Sequence, residues 1–376
     1  MRIFVGARLF DGFGWRDDGA LVTQGGKIRA LVPYAERPSG ETVDLGGGML
    51  APGFVDWQVN GGGGHLFNDA PTPETIRAIV AAHRSFGTTA LAPTVITDAA
   101  SVLEAALEAG RQEVVGSLGV HVEGPFIDAR RKGAHPVQHI RRMTEDDADA
   151  LIAARARVVT LAPASVSLEM IRRLAAAGIV VSLGHSEATA PEARACFDAG
   201  VRAVTHLFNA MSPLTSRAPG VVGAALTDER VFAGFIADGL HVEALAGRLA
   251  YRLKGASRLT LVSDAMPPAA GGPDAYELGG RRVERRGPSL TLEDGTLAGA
   301  VITMHDAVRF AVREWDAPLG DALKMATSSP ARLLRVAARH GVLAPGARAD
   351  LVWLDEGLEL RGVWFGGERV EPPSVS

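Results

Sequence analysis

Eight short apolar runs, separated by stretches of helical periodicity, constrain the fold of this chain more than any other feature. Segments between them, such as PETIRAIVAAHRSFG, have the period of amphipathic helices, and several end in Gly. Apolar runs of this kind are typical of parallel strands buried on both faces. We expect the strands at residues 54–60, 88–94, 118–123, 158–162, 180–185, 203–208, 231–237 and 259–264.

Eight alternating units favour a closed (β/α)8, TIM-like barrel over an open doubly wound sheet. An open sheet more often has a Gly-rich phosphate loop after its first strand. The segment GGGGH at 61–65 lacks that spacing and is interpreted as a flexible loop at the barrel mouth.

Polar side chains stand where several of the predicted strands end. Glu123, His185, His206 and Asp264 close or follow four of them, and Asp238 and His241 follow another. Active sites of such barrels are built at these carboxyl ends. A structural role is the alternative, but it must explain why these strand ends carry such groups.

One carboxylate and two imidazoles predict a metal site. Glu123, His185 and His206 suit Zn²⁺ or Fe²⁺, and three protein ligands leave a position open for water. A cation lowers the pKa of such a water towards neutrality. Asp264 is then placed to take the proton and to pass it to a leaving amine.

The two ends of the chain differ from its middle. Residues 1–50 and 341–376 contain short β patterns with Gly-Gly and Asp-Gly turns, which predict one β-sandwich domain outside a barrel domain at 51–340. A Gly- and Pro-rich segment with hairpin signals, at about 267–299, predicts a flap over the barrel mouth. A disordered surface loop is the alternative, against which the alternation in RRVERRGPSLTLEDGTL argues.

Composition restricts the partners. The 376 residues carry a net charge of −4, which indicates no nucleic-acid or membrane partner. We find no apolar run long enough for a membrane span and no signal-peptide pattern. The one cysteine, Cys196, permits no intrachain disulfide and fits a reducing compartment, so we expect a cytoplasmic protein.

Other residues give weaker signals. His135, in RKGAHP, is either a group that polarises a carbonyl or a surface histidine. Arg217, in SPLTSRAPG, either binds an anion bidentately or is only solvated. The role of His65 at the barrel mouth is left open. The sequence assigns no role to His83, His139, His305 and His340.

The motifs together resemble those of the N-acetylglucosamine-6-phosphate deacetylases, in the amidohydrolase superfamily. THLFNAM and IADGLHV are specific in combination, whereas PGFVD is shared with many amidohydrolases. From about residue 44 to the C-terminus, the resemblance rests on PGFVDWQVNGGGG, GVHVEGPFI, RKGAHP, LGHSEAT, THLFNAM, IADGLHV, VSDA and GTLAG. It implies a (β/α)8 barrel with a β-sandwich from both termini, the fold predicted above from pattern.

The resemblance also implies roles for single residues. Glu123, His185 and His206 resemble the metal ligands, Asp264 the catalytic acid and base, and His135 the group that polarises the acetamide carbonyl. Arg217 resembles an arginine that reaches the phosphate from the partner subunit of a homodimer. The implied substrate contacts are Ala134, Asn209, Ala210, His241, Leu297, Ala298 and Gly299.

One departure from many amidohydrolases concerns the metal count. Those enzymes have H-x-H on the first strand and hold two metals, whereas this chain has Gln58 and Asn60 there. Neutral amides are poor ligands for Zn²⁺, and the loop NGGGG offers no cysteine. We therefore expect one divalent metal per subunit, with Zn²⁺ favoured and Fe²⁺ as the alternative.

The expected reaction is hydrolysis of N-acetyl-D-glucosamine 6-phosphate to D-glucosamine 6-phosphate and acetate, in amino-sugar catabolism. The first alternative is an amidohydrolase that deacetylates another N-acetyl amino sugar or an N-acyl amino acid. The second is a barrel kept as a scaffold without catalysis. The expected partners are a small sugar phosphate and a second copy of the chain.

Overall fold

A sheet of eight parallel strands forms the centre of the computed structural model, which describes residues 1–371. Each predicted strand overlaps an observed one, so the predicted barrel is confirmed. In chain order, each strand pairs with the next: Phe54–Val59, Thr88–Ile96, His121–Glu123, Val158–Leu161, Val180–Leu183, Ala203–Val204, Phe232–Ile236 and Leu259–Val262.

The first and eighth barrel strands meet at their carboxyl ends. The Asp264 N–H donates to the Gln58 carbonyl over 3.0 Å, and the Asn60 N–H donates to the Ala265 carbonyl over 2.9 Å. The sheet therefore closes at the point where the candidate site residues of both strands lie.

Ten α-helices lie within residues 1–371, most of them packed around the barrel. Several begin at the signals that the sequence contains: Thr144, Thr189 and Thr303 each form a capping box at the start of their helix. The helices are α1 (Pro73–Arg84), α2 (Ala100–Arg111), α3 (Glu145–Ala153), α4 (Leu168–Ala176), α5 (Ala190–Ala199), α6 (Gly220–Thr227), α7 (Ala244–Lys254), α8 (Met304–Trp315), α9 (Leu319–Ala326) and α10 (Ser328–Leu333). None of the described helices is both long and apolar enough to cross a bilayer.

Strands from both termini form two further sheets that pack on each other. The four-stranded sheet has the order Lys27–Pro33, Gly19–Gln24, Arg2–Val5 and Glu41–Asp44. The six-stranded sheet has the order Glu368–Arg369, Leu360–Phe365, Leu351–Leu354, Met49–Pro52, Arg8–Phe10 and Trp15–Arg16.

The two ends of the chain meet in the six-stranded sheet, where Met49–Pro52 pairs antiparallel with Leu351–Leu354. Phe4, Leu21 and Trp364 belong to the apolar core shared by the two sheets. The terminal β-sandwich of the predicted fold is therefore present. Its boundaries at residues 50 and 341 stay predictions.

An antiparallel sheet lies over the barrel mouth, in the segment predicted to form a flap. Its strands are Ala275–Leu278, Arg281–Arg286, Ser289–Leu292 and Leu297–Ala300. Val283 and Leu290 of this sheet share an apolar core with Leu66, Ile96 and Met266 of the barrel mouth.

A buried carboxyl group ties the first barrel strand to the eighth. Asp56 accepts hydrogen bonds from the N–H of Gln58 (3.1 Å) and from the N–H and hydroxyl of Ser263 (3.1 and 2.5 Å). Burial raises the pKa of Asp56 to about 7, although these hydrogen bonds act to lower it.

This raised pKa predicts how stability depends on pH. In the unfolded chain the Asp56 pKa returns to about 3.9, so between the two values the folded protein binds more protons. The free energy of unfolding therefore falls as pH rises through this window, by at most about 1.4 kcal/mol per pH unit from this group. In Asp56→Asn this contribution is absent. Urea unfolding at pH 5, 6 and 7 should show a smaller loss of stability in the variant, and equal losses would refute the assignment.

Candidate functional site

A pocket of about 540 Å³ opens where the barrel strands end. It collects the predicted metal ligands, the predicted acid and base, and most of the predicted substrate contacts. Its lining includes Asn60, Glu123, Ala134, His135, His185, His206, Asn209, Ala210, His241, Asp264, Leu297 and Gly299.

Three donor atoms meet at the floor of this pocket. Glu123 Oε1, His185 Nε2 and His206 Nε2 lie 3.1 Å from one another in every pair, and all three side chains are buried. Donors bound at about 2.0–2.1 Å around a tetrahedral Zn²⁺ lie roughly 3.4 Å apart. The three atoms therefore fit one face of such a coordination sphere, with one position left open.

The protonation of these side chains suits a cation. The Nδ1 atom of His185 lies 2.9 Å from the Arg131 carbonyl, which can only accept, so Nδ1 carries the proton and Nε2 keeps its lone pair. Burial acts to raise the pKa of Glu123, but the contacts with His185 and His206 outweigh it and hold the pKa well below its usual range. Glu123 is thus ionised, which is the form that binds a cation.

A second set of donors overlaps the first. Glu123, His135 and His185 offer ligand atoms that lie within 4.8 Å of one another. Glu123 and His185 belong to both sets, so the sets differ in their third donor, which is His135 in one and His206 in the other. The 3.1 Å separations of His206 Nε2 from both other donor atoms suit His206 as the third ligand, which stays a prediction.

Two amides hold the carboxylate of Asp264 beside this triangle. Asp264 Oδ1 accepts from Asn60 Nδ2 over 2.7 Å and from Gln58 Nε2 over 3.1 Å. Gln58 Nε2 also donates to Glu123 Oε2 over 3.0 Å. The amide groups at the H-x-H positions thus act as hydrogen-bond donors to the carboxylates, and their role as vacant metal positions stays a prediction.

Burial and the nearby charge of Glu123 raise the pKa of Asp264 to about 6. A group with a pKa near the working pH exchanges protons in both directions efficiently. The environment of Asp264 therefore suits the predicted role as acid and base.

The backbone turns sharply where three of these side chains enter the pocket. His185, His206 and Asp264 have φ values of 46°, 33° and 48°, in the left-handed region that residues other than glycine rarely occupy. Each lies two residues after the last residue of its barrel strand. Strained backbone of this kind clusters at functional sites.

Two further histidines are oriented by neighbours. His135 lies in the loop after the third barrel strand, with Nδ1 2.7 Å from the Thr97 hydroxyl. Burial holds its pKa well below the usual range, so the ring is neutral. His241 Nδ1 lies 2.6 Å from Asp238 Oδ2, and both side chains are buried.

Ala298, Arg217 and His65 lie outside the pocket lining. Ala298 is fully buried in the flap, where its carbonyl accepts from the Tyr276 hydroxyl over 3.0 Å. Arg217 lies in an exposed loop, residues 213–219. His65 is exposed in a short strand that pairs with Gly61–Gly62.

Three cations that line the pocket were not among the predicted site residues: Arg130, Arg131 and Lys132. They precede His135 in the motif RRKGAHP. This run of basic residues after a barrel strand is the sequence feature that could have predicted them. Arg130 pairs with Asp128 and Arg131 with Glu187, whereas Lys132 has no carboxylate partner among the described residues. Lys132 is therefore the cation of the three best placed to meet an anionic ligand.

Comparisons with known proteins identify relatives of the whole chain. Residues 49–370 match the amidohydrolase family. The chain is similar to an N-acetylgalactosamine-6-phosphate deacetylase of Shewanella sp. (strain ANA-3), with 43% identity over 86% of this chain and 84% of that protein. It is also similar to an N-acetylglucosamine-6-phosphate deacetylase of Bos taurus, with 38% identity over 93% and 91%. The crystal structure of an N-acetylglucosamine-6-phosphate deacetylase from Pasteurella multocida superimposes with a TM-score of 0.94, at 34% identity over 98% and 99% of the chains.

Metal analysis separates the two possible donor sets. Protein purified without added metal should contain about one equivalent, because the two donor sets share Glu123 and His185 and so can hold one ion between them. His206→Asn should lose most of this metal, whereas the matched variant His135→Asn should keep it, since an amide is a poor ligand. Elemental analysis of the three proteins is the measurement. Two tightly held equivalents, or loss in His135→Asn alone, would contradict the assignment.

Proposed function

The chain belongs to the amidohydrolase family, and from this premise we propose that it hydrolyses the acetamide group of an N-acetylhexosamine 6-phosphate in amino-sugar catabolism. The observation that carries the proposal is the triangle of Glu123, His185 and His206 with the Asp264 carboxylate beside it. Lys132 on the pocket wall supports an anionic substrate.

Two sugars that differ at C4 compete as the substrate. N-acetyl-D-glucosamine 6-phosphate is the first candidate, because the motifs resemble those of its deacetylases. N-acetyl-D-galactosamine 6-phosphate is the second, because the Shewanella relative is named for it. The products are acetate and the corresponding hexosamine 6-phosphate.

Glu123, His185 and His206 would hold one divalent cation, for which Zn²⁺ is favoured and Fe²⁺ is the alternative. Such a cation supplies Lewis-acid chemistry, since it polarises a carbonyl and lowers the pKa of water. Asp264 accepts a proton from the attacking water and delivers a proton to the amide nitrogen as the C–N bond breaks.

The other residues orient the reacting groups. Gln58 and Asn60 hold Asp264 Oδ1 through the two hydrogen bonds of 3.1 and 2.7 Å. Neutral His135 donates a hydrogen bond to the acetamide oxygen, where negative charge develops. His241, Asn209 and the backbone near Leu297 and Gly299 contact the sugar phosphate. Remote binding of this kind orients the acetamide for reaction.

A substrate panel tests the proposal. Acetate release should be fastest, by kcat/KM, with one of the two 6-phosphates. Unphosphorylated N-acetylglucosamine should be slower by at least tenfold, because one charge-assisted contact is worth about 1.5–3 kcal/mol. An N-acetyl amino acid should react more slowly still. Faster hydrolysis of the amino acid, or no acetate from either phosphate, would refute the proposal.

Asp264→Asn is the matched catalytic control in this panel. Asn has nearly the same shape but cannot accept the proton, so kcat should fall by roughly 10²–10⁴-fold while metal content is kept. Activity within a few-fold of wild type would place proton transfer on another group.

We further propose a homodimer in which Arg217 serves the partner's pocket. Leu214, in the same exposed loop as Arg217, is 55% exposed, and Leu245, Leu249 and Leu253 of α7 are 63, 52 and 61% exposed. The α7 leucines recur every fourth residue and so share one face of the helix. Exposed apolar faces of this kind mark protein contacts.

Mixed dimers test whether Arg217 acts in trans. Arg217→Ala should raise KM for the 6-phosphate about tenfold or more, since a bidentate guanidinium contact is lost. When Arg217→Ala chains exchange with Asp264→Asn chains, each mixed dimer regains one complete site. Activity should then rise to about a quarter of the wild-type value per chain. If subunit exchange is confirmed and activity does not rise, Arg217 does not act across the interface.

A further inference from the structure

We propose that Thr97 is a positioning residue that fixes the tautomer of His135, with the ring proton on Nε2. Thr97 directly follows the second barrel strand, Thr88–Ile96, and its side chain and main chain both face His135 Nδ1. The tautomer itself is independent of the substrate, whereas its catalytic consequence rests on the proposed function.

The hydrogen bonds at Nδ1 determine where the proton lies. The Thr97 hydroxyl oxygen is 2.7 Å from His135 Nδ1, and the Thr97 main-chain nitrogen is 3.4 Å from the same atom. A main-chain N–H can only donate, so Nδ1 must present its lone pair. A neutral imidazole with an unprotonated Nδ1 carries its proton on Nε2. The hydroxyl, which can act either way, then donates as well.

The surroundings commit Thr97 to this contact. Thr97 and His135 are 1% and 4% exposed, so water does not compete freely at Nδ1. Within residues 1–371, His135 is the hydrogen-bond partner of the Thr97 hydroxyl. Gly124 lies beside the contact between Thr97 and His135. A Cβ atom at this position would lie 2.2 Å from Thr97 Oγ1 and 3.4 Å from His135 Nδ1. The absence of a side chain at Gly124 therefore makes room for the pair.

Because Thr97 occupies Nδ1, Nε2 is the nitrogen left for a ligand in the pocket. Nε2–H is a hydrogen-bond donor, as required beside an oxygen that gains negative charge during the reaction. The other tautomer would present a lone pair to that oxygen and repel it. Thr97 thus controls whether His135 can assist the reaction, although it touches no reacting atom.

The experiment compares Thr97→Val, which removes the hydroxyl at nearly constant shape, with Thr97→Ser, which keeps it. Thr88→Val is the matched control, because Thr88 is buried at the start of the same strand and its hydroxyl has no partner within the described residues. The zinc-loaded proteins are labelled with ¹⁵N-histidine. The signals of His135 are assigned as those that are missing from the spectrum of the His135→Asn variant. Long-range ¹H–¹⁵N spectra then report the tautomer without substrate.

Wild type, Thr97→Ser and Thr88→Val should show the Nε2–H tautomer of His135. Thr97→Val keeps only the main-chain contact at Nδ1, which at 3.4 Å is too long to hold one tautomer by itself. This variant should therefore show a mixture of tautomers, and its kcat on the better 6-phosphate should fall on the order of tenfold with little change in KM. Thr97→Ala should behave like Thr97→Val and replaces it if the valine variant does not fold. An unchanged His135 spectrum in the folded variant would overturn the inference. If Thr97→Val shows a mixture of tautomers but the wild-type protein deacetylates none of the sugars, the proposed function is refuted and this inference is supported.

Discussion

The site depends on the convergence of three donor atoms, Glu123 Oε1, His185 Nε2 and His206 Nε2, at 3.1 Å from one another. Three lone pairs at this distance in a buried place repel one another unless a proton or a cation lies between them. The residues come from the third, fifth and sixth barrel strands, so only a closed barrel brings them together. The left-handed backbone at His185 and His206 turns these two side chains into the mouth directly after their strands. Barrel closure and the left-handed backbone thus both act to bring these three donor atoms together.

The two carboxylates of the site differ because their neighbours differ. Glu123 faces His185 and His206 and stays ionised, whereas burial and the charge of Glu123 raise the pKa of Asp264 to about 6, although the hydrogen bond from Asn60 acts to lower it. A pair of carboxyl groups whose pKa values are pushed apart can divide the work of ligand and of acid and base. Gln58 bridges the pair through one nitrogen, at 3.0 and 3.1 Å. An imidazole ring at this position offers no amide group to bridge both carboxylates in this way.

The periodic pattern of the sequence was sufficient to predict the barrel, and the polar residues at the strand ends predicted the site. Strand lengths were predicted less accurately. The sixth strand was expected at 203–208 but ends at Val204, because the turn into His206 interrupts the hydrogen bonding between strands. Ala298 alternates with Leu297 and Gly299 along one flap strand, so its side chain faces away from the pocket, and the contact of this backbone with the sugar stays a prediction. The contact between Thr97 and His135 joins residues 38 positions apart, which neither propensity nor spacing reveals. Pairing across loops of this length is set by the tertiary fold.

The most direct test of the account is a crystal structure with anomalous diffraction measured above and below the absorption edge of the bound metal. The account predicts one strong anomalous peak per subunit, bonded to Glu123 Oε1, His185 Nε2 and His206 Nε2, with Gln58 and Asn60 still hydrogen-bonded to Asp264. A second peak of similar strength beside Gln58 and Asn60, or a single peak bonded to His135 in place of His206, would contradict it.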